Sequence, residues 1–340
     1  MVGFFTPIKN LRPRLRVFLC NGETRMASSR GNKVSLSSAI QTDIAVKPTT
    51  GWEIFPRTSD SLNNTVELLD SETIHNGRLK TPGQIISADA MGDVECEFIK
   101  GTYDKYMAAA AGNEWQVDTP EAGASTLVFG GDVITTFALA KAHNDILQYH
   151  YWAGNRVNTF TLDIPEGGYA SLTFGFMGSG YENATTDYAP NPTDVPVSPK
   201  ATSLSVSDIK IDGVTTSGTA CATAFSFELT NNIERQRCLG AGLYGDDLTE
   251  MMADMTGSLT LKYGQRAQSI LNKQLTAAPI RIETAVTFPD GSSYTLVIPK
   301  AQISGDVPSG GMTDLLEASL TYTVVADDET DAPTLVKTTV

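Results

Sequence analysis

Gly240-Ala241-Gly242-Leu243-Tyr244-Gly245 has the spacing G-x-G-x-x-G, which cradles a pyrophosphate when it leaves a buried strand and opens a helix. That context is missing here. Polar residues 231–237 precede it, and the next strand pattern, 258–263, ends without an acid for a ribose hydroxyl, so a flexible glycine-rich loop is expected. His143 and His150 would share a face on a helix, but Asn144-Asp145 predicts a turn between them and His75 is distant, so no metal site is expected. Glu95 and Glu97 lie on one face of a strand, where a solvated acidic face outweighs a glycosidase pair. Cys20, Cys96, Cys221 and Cys238 lack C-x-x-C spacing and a nearby His pair, and read as buried free thiols rather than zinc ligands or a redox couple. Trp52, Trp115 and Trp152 read as core residues rather than a sugar-stacking platform. With no G-x-S-x-G, P-loop or H-E-x-x-H, the chain reads as a non-enzyme that needs no cofactor.

The elements that carry these residues are more informative. Ala170-Ser171-Leu172-Thr173-Phe174 returns as Ala318-Ser319-Leu320-Thr321-Tyr322, and each copy follows an apolar-Pro-x-Gly-Gly turn, at 164–168 and 307–311. Earlier marks recur in the same order. Residues 71–78 match 230–237, with Ile74 and Arg78 spaced as Ile233 and Arg237; 92–98 match 257–263, each an alternating strand followed by a helical pattern. Marks repeated in one order predict a structural unit used twice.

Length agrees, since 340 residues exceed the usual ~100–200 per domain. The net charge of -14, from 39 acidic and 25 basic residues, argues against gripping a phosphate backbone through basic patches. An acidic surface keeps a protein soluble, and it also suits a wall past which DNA must slide. Residues 1–25 oppose the trend: Lys9, Arg12, Arg14, Arg16 and Arg25 against Glu23 give +4, and -14 less +4 leaves -18 for the rest. No apolar stretch follows as a signal peptide requires, so the segment reads as a basic docking arm, a tail, or translated leader ahead of a start at Met26. No run of ~18 apolar residues is present to span a membrane.

In chain order, 33–55 alternates loosely into a strand, and 57–91 is polar with Asn76-Gly77 and Pro82-Gly83 as turn signals, so a long contact-bearing loop or hairpin is expected. A strand at 94–99 and a helix at 103–111 closed by Gly112 follow. Strands are expected at 128–142, 146–152 and 157–164, with turns at Gly130-Gly131, Asn144-Asp145 and Gly154-Asn155, and then at 170–177. Pro190, Pro192, Pro196 and Pro199 make 179–203 an extended linker. Beyond it come strands at 204–211, 224–229 and 258–263, a helix at 265–274, and a hairpin, 280–288 with 294–298, around Pro289-Asp290-Gly291. Strands at 301–303 and 318–325 complete the sheet, and 327–340 reads as a mobile tail or a second docking arm. The expected divisions are an arm or leader artefact, 1–35; a first unit, 36–178; the linker, 179–203; a second unit, 204–326; and a tail, 327–340.

Over 36–326 the chain resembles the major tail tube proteins of long, non-contractile-tailed bacteriophages, through 71–78 leading to 92–98 and a helix and 231–240 leading to 257–263 and a helix. The resemblance implies a mainly β fold of two tandem tail-tube-like β-sandwich domains, each flanked by a short α-helix, with inner sheets joining into a β-barrel across subunits. Most members of that family carry one such domain and form hexameric rings. Two copies per chain therefore imply homotrimeric, pseudo-hexameric rings, with a hexamer of chains as the alternative. Stacked rings make a conduit for genome ejection in the virion tail, assembled in the host cytoplasm. The implied partners are the chain itself, tail tip, tape measure and terminator proteins; phage DNA passes through the lumen without sequence readout. Closing a sheet across subunits removes exposed edges, and a head-to-tail interface closes into a ring when its rotation permits. Glu95, Glu97, Thr260 and Lys262 are the candidates facing the lumen, and Asn76, Arg78, Arg235 and Arg237 the candidates for contacts between subunits or rings. Two alternatives remain: a tail terminator or baseplate ring protein of the same fold, and a two-domain β carbohydrate-binding adhesin, which would need an export signal and an exposed aromatic platform.

Overall fold

A computed structural model of the chain describes residues 28–74, 77–197 and 199–339, so the basic segment 1–25, Cys20, His75 and Asn76 lie outside the described residues. The first half runs β1 (Val34–Ile40), β2 (Glu53–Ile54), β3 (Ser59–Asp60), β4 (Asn63–Leu69), β5 (Gln84–Glu97), α1 (Asp104–Ala111), β6 (Gln116–Val117), β7 (Ala124–Val128), β8 (Phe137–His143), β9 (Gln148–Ile164), β10 (Ser171–Gly178) and β11 (Gly180–Ala184). The second runs β12 (Val206–Ile211), β13 (Val214–Thr215), β14 (Ala222–Thr230), β15 (Glu234–Gln236), β16 (Asp247–Thr249), β17 (Asp254–Lys262), α2 (Gln265–Leu271), β18 (Ile280–Thr287), β19 (Ser293–Gly305), β20 (Glu317–Val324) and β21 (Thr334–Thr338). The fold is mainly β.

One pairing order occurs twice. In the first half the antiparallel neighbours run β1-β8-β9-β10-β5-β4, with β11 added beside the start of β9. In the second they run β12-β18-β19-β20-β17-β14, with β21 beside the start of β19. α1 follows β5 as α2 follows β17. The recurrent Ala-Ser-Leu-Thr strands, β10 and β20, occupy corresponding places, but their registers differ by two residues. Leu172 lies opposite Cys96, whereas Leu320 lies opposite Leu259 rather than Leu261. A slip of two keeps every side chain on its face, and so the core tolerates it.

The halves join where β14 pairs with β9 over 225–230 and 159–164. This makes one antiparallel sheet in the order β4-β5-β10-β9-β14-β17-β20-β19, four strands from each half. Its inner face, with Phe174, Phe160, Leu162, Phe227, Leu259 and Leu320, is buried against the outer strands and α1. Phe98 from the first half meets Phe288 and Tyr294 from the second at 5.5 and 5.2 Å between ring centroids, so the halves share a core.

Local chemistry explains the elements. α1 buries Tyr106, Met107 and Ala109 to Ala111, with Tyr106 stacked on Phe55 at 4.4 Å, and ends at left-handed Gly112, as the sequence predicts. A Cβ on Gly112 would stand 2.1 Å from the Gly131 carbonyl oxygen, and this close approach holds 129–136 off the sheet. The single strand expected over 128–142 is therefore two, β7 and β8. Conversely, 146–152 and 157–164 are one strand, because Gly154, at φ 58, bends β9 without ending it. Asn155 Nδ2 secures that bend by donating to the carbonyls of Phe137 (2.9 Å) and Trp152 (2.8 Å). The residues read as a turn are thus the point where β9 passes from the outer to the inner layer. β19 likewise runs through Pro299 without a break, and the second helix ends at Leu271 and continues as a 3-10 turn to Thr276.

Segment 57–91 contains a hairpin, β4 with β5. The proline-bearing run 179–203 is extended and docked: β11 pairs with β9, and Ala189 and Ala201 are buried. The tail is a docking strand within the chain, since β21 lies between β19 and β7 and buries Leu335.

Candidate assembly interface

The outward face of the eight-stranded sheet is polar along its whole width. Cross-strand partners define continuous rows on it. One runs Ser59, Glu95, Thr173, Thr161, Glu228, Thr256, Thr323 and Gln302; the next runs Glu97, Ser171, Asp163, Ser226, Ser258, Thr321 and Ser304. Alternation produces this directly, because the residues that alternate with buried Val94, Cys96, Leu172, Phe225 and Phe227 must point the other way. Asp93, Glu95, Glu97, Asp163, Glu228, Asp254 and Glu317 supply carboxylates on this face, against Lys262 and, at its margin, Lys200.

The candidate lumen residues fall on this one face. Glu95 accepts from Ser59 Oγ at 2.9 Å, Glu97 pairs with Lys200, Lys262 pairs with Glu317, and Thr260 lies opposite Ser319. Donating a hydrogen bond to Glu97 raises the pKa of Lys200, and donating one to Glu317 raises that of Lys262. Partial burial raises the Asp163 carboxyl.

The candidate contact residues divide. Arg78 is exposed in the connection between β4 and β5, with no ion pair among the described residues. Arg235 is held inside the chain, its side chain only 6% exposed. Its Nε stands 3.1 Å from Asp89 Oδ1, Nη2 donates to the Gly178 carbonyl at 2.7 Å, and Nη1 donates to the Tyr244 carbonyl. Arg237 Nη2 donates to the same Asp89 oxygen at 2.7 Å. Asp89 was not among the candidates, yet a signal existed: Ala88-Asp89-x-x-Gly92 recurs as Ala253-Asp254-x-x-Gly257, just before strands already matched.

Two edges of this sheet have no partner among the described residues. β4 pairs only with β5, and the end of β19, from Gln302, pairs only with β20. In the repeated order β4 corresponds to β14 and β19 to β9, the two strands joined inside the chain.

The other candidates take structural places. Gly240 to Gly245 form the connection between β15 and β16, with no helix after them. The hairpin β8-β9 brings His143 and His150 to 5.3 Å between ring centroids, correcting the expectation that the turn would separate them; they bond to Ser29 and Tyr181 respectively. Cys96 is buried, and burial pushes its thiol up to about 12. Cys221 is exposed because the small-residue run around it forms the margin of β14 rather than core, and Cys238 is exposed in the connection between β15 and β16. Trp52 and Trp152 are buried in the core, and Trp115 packs against it.

A sheet sealed on one side and polar on the other, with unpaired edges at both ends, defines a β-rich structural protein. The family model for phage tail tube proteins matches residues 31–324, and the chain belongs to that family. It is a structural component of the virion tail, of a family that self-assembles into a tube with other tail proteins and is not a family of enzymes. No curated protein sequence matches the chain significantly. No described helix is long and apolar enough to cross a membrane.

Proposed function

We propose that three chains close head to tail into a pseudo-hexameric ring, and that stacked rings form the non-contractile tail tube through which the genome leaves the virion. The observation that supports this reading best is the junction inside the chain. β9 and β14 already join one four-stranded set to the next, and the strands left open are their counterparts, β19 and β4. Pairing β19 of one chain with β4 of the next repeats the same step, and a repeated head-to-tail step closes a ring without leaving an edge. The two units of this repeat are 36–178 and 204–326, with 179–203 carrying the chain between them.

In that ring the acidic face lines the lumen, with Glu95, Glu97, Thr260 and Lys262 on its wall. Carboxylates facing a polyanion prevent it from sticking, so DNA passes without base or phosphate recognition. Tail tip, tape measure and terminator proteins would meet the ends and bore of this tube. Electron microscopy of the purified protein, with mass measurement of the smallest closed ring, tests the reading. Rings of three chains are expected. Rings of six would keep the tube and sink the pseudo-hexamer, and a chain that stays monomeric at high concentration and with its tail-tip partner would sink both.

A further inference from the structure

The repeated order gives each surface of the first half a counterpart in the second, and one such pair differs sharply. In the first half, Ala88, Asp89 and Gly178 are covered by the connection between β14 and β17. Ala88 N donates to the Leu243 carbonyl at 3.0 Å, Arg235 and Arg237 converge on Asp89, and Arg235 also donates to the Gly178 carbonyl. The counterparts are Ala253 and Asp254, from the repeated Ala-Asp-x-x-Gly, and Val324, which ends β20 as Gly178 ends β10. All three line an open groove of about 800 Å³, together with Met255, Asp132 and Asp328. Asp254 meets only the amide of Asn232, at 2.9 Å, and no cation among the described residues.

We propose that this groove seats the connection between β4 and β5 of the next chain, with Arg78 on Asp254. The contact repeats between chains what Arg237 and Arg235 do on Asp89 within one. Three observations select a second copy as the occupant. Thr65 lies opposite Asp89 and Thr230 opposite Asp254, so the segments of chain beyond these pairs, 66–88 and 231–253, are equal in length. The groove is acidic, and Arg78 is an exposed cation with no ion pair among the described residues. The strand ends that carry this connection expose apolar surface at Leu68 (64%), Leu69 (62%), Ile85 (55%) and Ile86 (51%), as a segment awaiting a neighbour does. These residues flank the unpaired β4 edge, while the groove lies across β17 and β20 beside the open end of β19, so seating the connection and pairing β4 with β19 of the neighbour are one event.

The inference rests on the ring reading, and its test separates the two. Arg78→Glu, Asp254→Arg and the double exchange are compared with the wild type in ring and tube assembly, by sedimentation and electron microscopy. Both side chains are exposed and carry no internal ion pair, so each variant should melt as the wild type does. Each single variant should raise the concentration needed for ring closure by about tenfold or more, and the double exchange should restore it. Wild-type tubes with single variants that assemble unchanged would overturn the contact and leave the ring standing. Rings that close normally but fail to stack would also overturn it, placing the connection between rings. A wild type that forms no ring would fail the ring reading itself.

Discussion

The halves share a strand order but not an environment. In the first, β9 is paired on both sides and Asp89 is clasped by two arginines; in the second, the end of β19 and Asp254 face solvent. The helices show the same contrast. α1 is packed among Phe55, Phe137 and Phe174, while α2 buries only Ala267, Ile270 and Leu271 and leaves its other side to water. A duplicated unit built to stand alone would finish both of its junctions. Here only the junction inside the chain is finished, and in the proposed ring it is the template for the other.

The largest expected effect comes from equivalent positions at the finished and open junctions. Phe227 lies opposite Gly257 and is fully buried, 5.4 Å from Phe129 and 6.4 Å from Phe160 between ring centroids. Leu62 lies against Gly92 in the corresponding place, beside the open β4 edge. Phe227→Ala should cost about 3–5 kcal/mol, whereas Leu62→Ala should fall near the low end of the ~2–5 kcal/mol range for buried leucines. Urea unfolding of the unassembled chain measures both. Equal losses would mean that the open edge is as tightly packed as the internal junction, and the contrast would collapse.

The clasp on Asp89 sharpens the comparison at a smaller scale. Arg235→Ala strands two carbonyls and a carboxylate that it now serves, and should cost about 2–3 kcal/mol. Arg237, 40% exposed on the same carboxylate, should cost under about 1 kcal/mol. Thermal melts with a double-mutant cycle through Asp89→Ala separate the two. Matching losses for both arginines would show that Asp89, rather than the Gly178 and Tyr244 carbonyls, decides the contact.

Much of this was legible in the chain. The period-two alternation of 92–98 and 257–263 fixed which side chains face outward, and so Glu95, Glu97, Thr260 and Lys262 share a face in the folded chain. Gly112 closed its helix where its φ preference allows. Failures came where one residue pattern serves two geometries. Gly154-Asn155 has turn composition but bends a continuous strand, because long-range pairing on both sides of β9 outweighs local preference. The β9-β14 junction left no local mark, since each of its strands reads alone as an ordinary buried strand. Arg235 looked like a surface contact because nothing local reveals Asp89, whose own repeat marker is only Ala, Asp and Gly at fixed spacing.

The smallest effect concerns what else ties the halves together. Lys100, after β5, reaches Asp290 in the turn between β18 and β19 at 2.5 Å. That hydrogen bond first, and the one from Ser292 next, hold the Asp290 carboxyl down to about 2. A carboxyl with a lowered folded value adds stability above its ordinary pKa and loses it as pH falls through the folded one, so this tie should loosen between about pH 4 and 2. Both groups are exposed enough for water and salt to weaken the pair, and the change should be a small steepening of acid unfolding. Lys100→Ala should lower stability by a small, constant amount above pH ~5, where Asp290 is ionised in both states, and flatten the curve between about pH 4 and 2, so that variant and wild type converge at low pH. Parallel curves for the variant and the wild type down to pH ~2 would show that apolar contacts, Phe98 on Phe288 and Tyr294 above all, hold this side of the junction without ionic help.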